Sequence, residues 1–558
     1  MLDAALRSPF DAFARCAARN PDAPFLIAPE SAGLAYAPRG FRHSYGEVFA
    51  EVERLRRLYA GSGYGRGARV AILLENRPEF FAHWLALNAL GVSIVPINPD
   101  LRPDELLFQL AMAEAHCLVC LPERLPALRG ADLAGAQLVS SEDPPPPCRV
   151  RIDAQAGAVD DECALLFTSG STGKPKGCLL SNFYFLRLAD WYTTQGGVAA
   201  MTEGAETVLT PLPMFHMNAL GCSTVGMLLI GGAVVPLDRF HANRWWRTVV
   251  DSGATIVHCL GVIPAILLRL PESGLERSHR VRFALGPGVD VGHKHIFERR
   301  TRIPIIESWA MTETGGGAVT TSAGDTMERR GRFIGRPRDG MDYRIVDDAG
   351  GDVAQGAPGE LLVRASGDDP RRGFFSGYLK DEAATEEAWR GGWFHTGDMI
   401  TAEADGSLYF FDRKKSIVRR SGENIAVLEV EAILATDARI KAAAVTPAPD
   451  ELRGEEVFAF IVRADDSRAD APETLAELIS RACAAKLAYH KAPGYIAFVD
   501  ELPVSSTQKL LRGEIKAWAA RMVAEGGAID LRGLKATLRK QVSRAGGERD
   551  ERPTSDEG

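Results

Sequence analysis

Apolar residues first recur at helical spacing after residue 44, where Val48, Val52, Leu55 and Tyr59 fall on one face. Ser44, with Glu47 three residues on, forms a capping box that starts this helix. The run GARVAILL (67–74) then predicts a buried strand, PEFFAHWLALNALG a helix ended by glycine, and SIVPINP another strand. The alternation continues through ECALLF (162–167), ETVLTPLP (206–213), AVVPL (233–237), TIVHCL (255–260) and VRFALG (281–286). Strands alternating with helices imply parallel sheets covered by helices on both faces. No sequence repeat is visible, although two such sheets could be stacked.

The pattern changes near residue 412. Beyond FFDRKKS it becomes shorter and more helical, with VFAFIVRA (457–464) and YIAFVD (495–500) as strands. A small α+β domain of about 110 residues fits that stretch. The predicted fold class is α/β: a large N-terminal domain of stacked, mostly parallel sheets flanked by helices over 1–412, a small α+β C-terminal domain over 413–525, and a helical extension with a charged tail over 526–558. The run PPPP (144–147) reads as a stiff surface connection. The tail from 536, ATLRKQVSRAGGERDERPTSDEG, loses its large apolar residues, and disorder is expected beyond about 545.

Composition narrows the function classes. The 558 residues are 46% hydrophobic and 25% charged, as in ordinary globular proteins. A net charge of -8 with no long basic stripe argues against nucleic acid as a partner. The N-terminus lacks the apolar run of a signal peptide, and the most apolar stretch, GMLLIGGAVVPL (226–237), is too short and glycine-broken to span a bilayer. Nine scattered cysteines suit a reducing cytoplasm better than a disulfide framework. Cys117 and Cys120 form a CxxC, but no second one completes a zinc site; they read as small core residues of a strand.

Chemistry concentrates at LLFTSGSTGKPKG (165–177). Gly170, Gly173 and Gly177 permit a backbone whose N–H groups turn inward and attract anions. Thr168, Ser169, Ser171 and Thr172 add hydroxyls, and Lys174 and Lys176 add positive charge. A strand feeding such a loop points to a phosphate-holding turn. It is not a Walker loop, because Pro175 follows Gly173-Lys174 and Thr168 stands five before Gly173.

The stretch closely resembles the phosphate loop of the adenylate-forming superfamily: acyl-CoA synthetases, luciferases and peptide-synthetase adenylation domains. Further motifs recur in that family's order over residues 10–520. The resemblance implies that Thr168, Ser169, Gly170, Ser171, Thr172, Gly173 and Lys176 bind ATP phosphates. In LPMFHMNAL (212–220) it makes His216 a gate or wall of the acyl pocket, with Asn218, Gly221, Val262 and Gly286 as further lining. ALGPGVD (284–290) resembles the turn along which adenine lies, bringing in Gly286, Pro287 and Gly288. ESWAMTETGGG (307–317) matches the aromatic-x-x-Thr-Glu signature; alone, it would read as a turn with a helix start. Trp309 stands where tyrosine is usual and Ala310 where glycine is common. Thr312 is implied to reach phosphate and Glu313 to hold Mg²⁺, a hard cation that takes oxygen ligands.

GWFHTGDMI (392–400) supplies Asp398, whose carboxylate suits a ribose diol. GSLYFFDRKKSIVRRSGENI (406–425) supplies Arg413, implied to contact ribose or α-phosphate, and Lys415 at the family's hinge position. About that hinge the small domain is implied to rotate between two half-reactions, which makes it a mobile catalytic lid. Gly422, Glu423 and Asn424 match the strip presented to the pantetheine arm of CoA. ELPVSSTQKLLRGEIK (501–516) places Lys509 at the catalytic lysine, with Gln508 where glycine is usual.

The implied activity is that of an ATP-dependent acyl-CoA ligase, an AMP-forming acid–thiol ligase. Lys509, Glu313, Thr312 and His216 are its catalytic candidates, and ATP, Mg²⁺ and CoA its cofactors and cosubstrates. Two alternatives stand beside it: loading of a separate carrier protein, and a non-catalytic nucleotide-binding homologue. The segment 237–267 resembles the carnitine/crotonobetaine-CoA ligase branch more than the aryl-CoA ligases, which suggests a fatty or carnitine-like carboxylic acid. Trp245 and Trp246 could cage a quaternary ammonium, but helix packing is the better reading of the pair.

Overall fold

Among the described residues, three seven-stranded sheets and one six-stranded sheet organise the chain. The computed structural model describes residues 2–149, 158–168, 175–289, 291–325, 333–347, 349–413, 417–421, 423–465, 471–503, 510 and 512–538. These fall into two compact units. The larger takes in the elements up to the strand Leu408–Arg413, and the smaller those from Ile417 on, with the short segment 100–105 joined to it.

In the larger unit, one sheet runs Ile305–Ile306, Phe283–Leu285, Ile256–His258, Thr207–Thr210, Ala233–Pro236, Pro24–Ala28, Phe41–Ser44, parallel except for its last pair. A second runs Gly377–Tyr378, Lys176–Ser181, Glu162–Thr168, Ser93–Pro96, Arg69–Leu73, Cys117–Cys120, Gln137–Ser140. Its last five strands are parallel, while the Glu162–Thr168 and Lys176–Ser181 pair forms an antiparallel hairpin. The expected strands therefore sit in two mostly parallel sheets.

The helix Tyr45–Gly61 begins with the expected capping box: Ser44 Oγ accepts from the Glu47 N–H and the Glu47 side chain accepts from the Ser44 N–H. Its Val48, Val52, Leu55 and Tyr59 are buried. They join a core that packs the helices Pro9–Arg19, Pro78–Asn88 and Asn182–Thr193 against both parallel sheets, through Phe13, Phe81, Trp84 and Phe185. On strand Cys117–Cys120 both thiols are buried; burial pushes Cys117 up to about 12 and Cys120 up to about 11. Two such neutral thiols are packing residues.

A third sheet, Ser308–Trp309, Thr320–Thr321, Phe333–Pro337, Leu408–Arg413, Phe394–Ala402, Gly359–Ala365, Met341–Val346, is antiparallel throughout. The sequence reading places no strands in this region. It also expects a turn with a helix start at 307–317, whereas Ser308–Trp309 is a short strand followed by turns. Three consecutive glycines, Gly315 to Gly317, make a helix there costly.

The smaller unit holds the strands Ile417–Arg420, Glu423–Ala426, Ile440–Asp450, Gly454–Arg463, Tyr495–Phe498 and Ile529–Asp530. The helices Val427–Leu434, Pro472–Lys486 and Arg512–Ala524 accompany them, giving an α+β unit. The tail expected to be disordered lies outside the described residues. No helix among the described residues is long and apolar enough to cross a membrane.

Candidate active site

The glycine-rich loop hangs from a hairpin whose last described pair is Thr168 opposite Lys176. Ser169, Gly170, Ser171, Thr172 and Gly173 lie outside the described residues, so the site is built from what flanks them. A Cβ at Gly177 would press on the end of the Leu165 side chain across the hairpin, 2.9 Å away. Thr168 Oγ1 lies 3.8 Å from Cys178 Sγ on the facing strand. Lys176 Nζ sits 4.5 Å from the ring centroid of Tyr378 and 3.5 Å from Asp381 Oδ2.

Tyr378 reaches the hairpin because Gly377–Tyr378 adds to the sheet edge, with Tyr378 opposite Cys178. Its hydroxyl donates to Glu313 Oε1 at 3.0 Å. Burial, reinforced by the Glu313 charge, pushes the phenol well above its ordinary range, so it stays a donor. Glu313 is itself buried, and its backbone carbonyl accepts from Phe375 N–H at 2.9 Å. Next to it, the Thr312 carbonyl accepts from the Tyr184 hydroxyl at 2.8 Å. That approach requires glycine at 315, where φ is +49° and a Cβ would overlap the Tyr184 ring. Lys176, Tyr378 and Glu313 thus form one chain of contacts linking the glycine-rich hairpin to the Thr-Glu motif. A carboxylate so placed is a hard oxygen donor and fits Mg²⁺ shared with phosphate oxygens; no group of three or more possible metal ligands occurs among the described residues.

The second half of the site lies on the antiparallel sheet. The Trp309 indole N–H donates to Asp398 Oδ2 at 2.8 Å, with both residues buried. Asp398 in turn is the cross-strand partner of Arg413. Two motifs separated in sequence therefore meet by strand pairing. Only the backbone of Arg413 is described. Gly286 follows the strand Phe283–Leu285; its N–H donates to the Ile306 carbonyl at 2.9 Å, and a Cβ there would lie 2.8 Å from Ile305. Gly288 takes φ +76°, and its N–H donates to Glu307 Oε1 at 2.8 Å. Pro287 lies between them, and this turn is thereby tied to the residue two before Trp309.

His216 is half-buried, its ring 4.7 Å from that of Phe215. Asn218 opens a π-helix, Asn218–Val225, a form frequent at functional sites. Its Oδ1 is buried without a hydrogen-bond partner in the protein. Gly221 packs against Leu188, where a Cβ would have to displace the leucine. Val262 begins the helix Val262–Leu268 and only its backbone is described; the preceding Gly261 lies against Gly288, with 2.8 Å from a Cβ to the Gly288 carbonyl. Trp245 and Trp246 belong to an apolar cluster on the far face of the first sheet, Trp246 stacked on Phe297 at 6.0 Å. They pack a helix, as the better reading has it.

Gln508, Lys509, Lys415 and Gly422 lie outside the described residues. Glu423 opens the strand Glu423–Ala426, and of Asn424 only the backbone is described. Tyr378, Tyr184 and Glu307 contact the candidate residues Glu313, Thr312 and Gly288 but escape the sequence reading. Glu307 lies inside the quoted ESW motif and Tyr378 in SGYLK, yet nothing local to either segment marks what it touches.

The AMP-binding enzyme family matches residues 13–379, and its C-terminal domain matches residues 429–509. A crotonobetaine/carnitine–CoA ligase of Proteus mirabilis (strain HI4320) is 30% identical over 497 residues, covering 85% of this chain and 93% of the relative. Its namesake from Escherichia coli O157:H7 is 29% identical over 520 residues, covering 88% and 95%. Among solved structures, an o-succinylbenzoate CoA synthetase from Bacillus subtilis, bound to a product analogue, superposes with TM-score 0.74 at 25% identity, covering 91% of this chain and 98% of its own. A malonyl-CoA ligase with methylmalonyl-CoA and AMP bound gives TM-score 0.70 at 26% identity, covering 86% and 97%.

Proposed function

The chain belongs to the AMP-binding enzyme family and is an AMP-forming acyl-CoA ligase; from that premise we propose which of its residues perform each step. A carboxylate acylates poorly because its leaving group would be oxide. Attack of its oxygen on the α-phosphorus of ATP forms an acyl-adenylate and releases pyrophosphate. Lys509 bridges the two anions as they approach, and one such positioned donor is worth about 3–4 kcal/mol in a transition state. Thr168–Gly173, Lys176 and Thr312 hold the phosphates and let pyrophosphate go. Gly286, Pro287, Gly288 and Trp309 receive adenine, while Asp398 and Arg413 hold the ribose. Glu313, oriented by Tyr378, is the residue that would hold Mg²⁺, which when bound offsets phosphate charge.

Lys415 is the hinge about which the small domain, 413–525, exchanges Lys509 for the strip Gly422, Glu423 and Asn424. The CoA thiol then attacks the mixed anhydride and AMP departs. A thiol is mostly protonated at neutral pH, and His216, at the wall of the acyl pocket with Asn218, Gly221 and Val262, is the candidate base. The nine free thiols fit a cytoplasmic site of reaction.

The observation that supports this assignment most directly is the Tyr378 bridge from Lys176 to Glu313. The test is a panel of acids with ATP, Mg²⁺ and CoA, read by pyrophosphate, AMP and thioester. It starts from carnitine and crotonobetaine, the acids in the relatives' names, and extends to fatty and aryl acids. Acid-dependent pyrophosphate release with thioester formation is expected. Failure with every acid would overturn the proposal.

A further inference from the structure

A second buried charged network lies in the smaller unit; its Arg420 and Lys535 fall outside both stretches that the family matches, while Glu456 falls within the second. Lys535, on the helical turn 532–538, is 1% exposed. Its ammonium donates to Glu456 Oε1 at 2.5 Å and to the His490 carbonyl at 3.0 Å. The other Glu456 oxygen accepts from Arg420 Nε at 2.7 Å, with Arg420 4% and Glu456 0% exposed. A glycine is needed at 494 because a Cβ would overlap the Glu456 side chain. His490 is buried, and burial holds its imidazole well below the ordinary range, so it adds no further positive charge.

Two basic side chains thus share one carboxylate in the interior, and burial lowers Lys535 to about 7. Apolar replacement of such an arrangement is often neutral or stabilising, so its best-attested use is to set geometry. Here the geometry at stake is that of the hairpin Ile417–Arg420 and Glu423–Ala426. Among the described residues, its first strand pairs with Gly454–Arg463 only at Arg420 opposite Gly454. Side-chain clamps supplement that contact: Arg419 N–H donates to Glu455 Oε2 at 2.7 Å, and Arg420 grips Glu456. The segment carrying Lys535 is anchored separately. Ile529–Asp530 pairs with Tyr495–Phe498, Leu531 N–H donates to the Gly494 carbonyl at 2.8 Å, and Arg532 donates to Asp450 at 2.9 Å.

We propose that residues 529–538 form a strap that positions the 417–426 hairpin through the buried relay Lys535–Glu456–Arg420, making Lys535 a positioning residue for the transfer of the acyl group to CoA. The inference rests on the reading above that Glu423 and Asn424 face the CoA arm. Its test is a double-mutant cycle of Lys535→Met, Arg420→Met and both together. The rate of thioester formation from supplied acyl-adenylate, the KM for CoA and pyrophosphate exchange are each measured.

Each single variant is expected to slow the CoA step by about five-fold or more, the double no further than the worse single, with pyrophosphate exchange held within about two-fold. Additive losses, equal loss of both half-reactions, or an unchanged CoA step overturns the proposal. If a methionine variant does not fold, Lys535→Gln is compared with the parent protein by amide hydrogen exchange. Faster exchange confined to 417–426 and 529–538 supports the strap, and uniform or absent acceleration overturns it. The exchange arm needs no acid or CoA, so it stands even if the ligase reading fails.

Discussion

Trp309 and Asp398, on strands far apart in sequence, are joined by an indole N–H···carboxylate hydrogen bond of 2.8 Å inside the larger unit. The residue proposed to cover adenine therefore also orients the residue proposed to hold ribose. Trp309→Phe keeps the aromatic face and removes the donor. A hydrogen bond to a charged group contributes about 1.5–3 kcal/mol, so the KM for ATP should rise by roughly ten-fold with a smaller change in kcat. Discrimination between ATP and 2′-deoxy-ATP should weaken in parallel. Unchanged ATP kinetics in a folded variant would show that the tie does not serve nucleotide binding.

Tyr378→Phe tests the bridge to Glu313. The change removes one hydrogen bond to the buried Glu313 carboxylate, worth about 1–3 kcal/mol. Adenylate formation should fall about ten-fold and the Mg²⁺ concentration for half-maximal rate should rise. A magnesium titration by pyrophosphate exchange reads both. A variant with full rate and an unshifted titration would remove Tyr378 from the site.

Lys509→Ala separates the half-reactions. Adenylate formation should fall by about a hundred-fold or more, as when a transition-state donor is removed. Thioester formation from supplied acyl-adenylate and CoA should persist. Equal loss of both steps would count against rotation about Lys415.

Acid should weaken the larger unit through His258. This ring is fully buried between the Tyr192 hydroxyl, at 2.7 Å, and the Ser223 hydroxyl, at 2.9 Å. Burial lowers its pKa from 6.5 to about 3. Between those values the unfolded chain binds a proton that the folded one does not. The stability is present above pH 6.5 and is lost as pH falls toward 3, by an amount on the order of 5 kcal/mol at full effect. His83, lowered to about 4 by burial, acts in the same direction. Tm measured from pH 7 to pH 4.5 should fall less in His258→Gln than in the parent protein. Identical slopes would assign the acid sensitivity elsewhere.

The sequence by itself determined the helix Tyr45–Gly61, eight inner strands of the two parallel sheets and the motifs around Thr168, Glu313 and Asp398. Each is local: a cap and a 3.6-residue stripe, an unbroken apolar run, or a cluster of glycines and hydroxyls that needs no partner to be recognised. Only the tertiary structure decided what those motifs touch. Pairing in the antiparallel sheet sets Asp398 opposite Arg413 and within reach of Trp309, and an added edge strand swings Tyr378 onto Glu313. The same holds for Lys535, which no motif in the sequence marks and which is buried because Ile529–Asp530 joins a sheet edge and carries it inward. Register across strands and the burial of a charge depend on residues tens to hundreds of positions away, and local spacing carries no record of them.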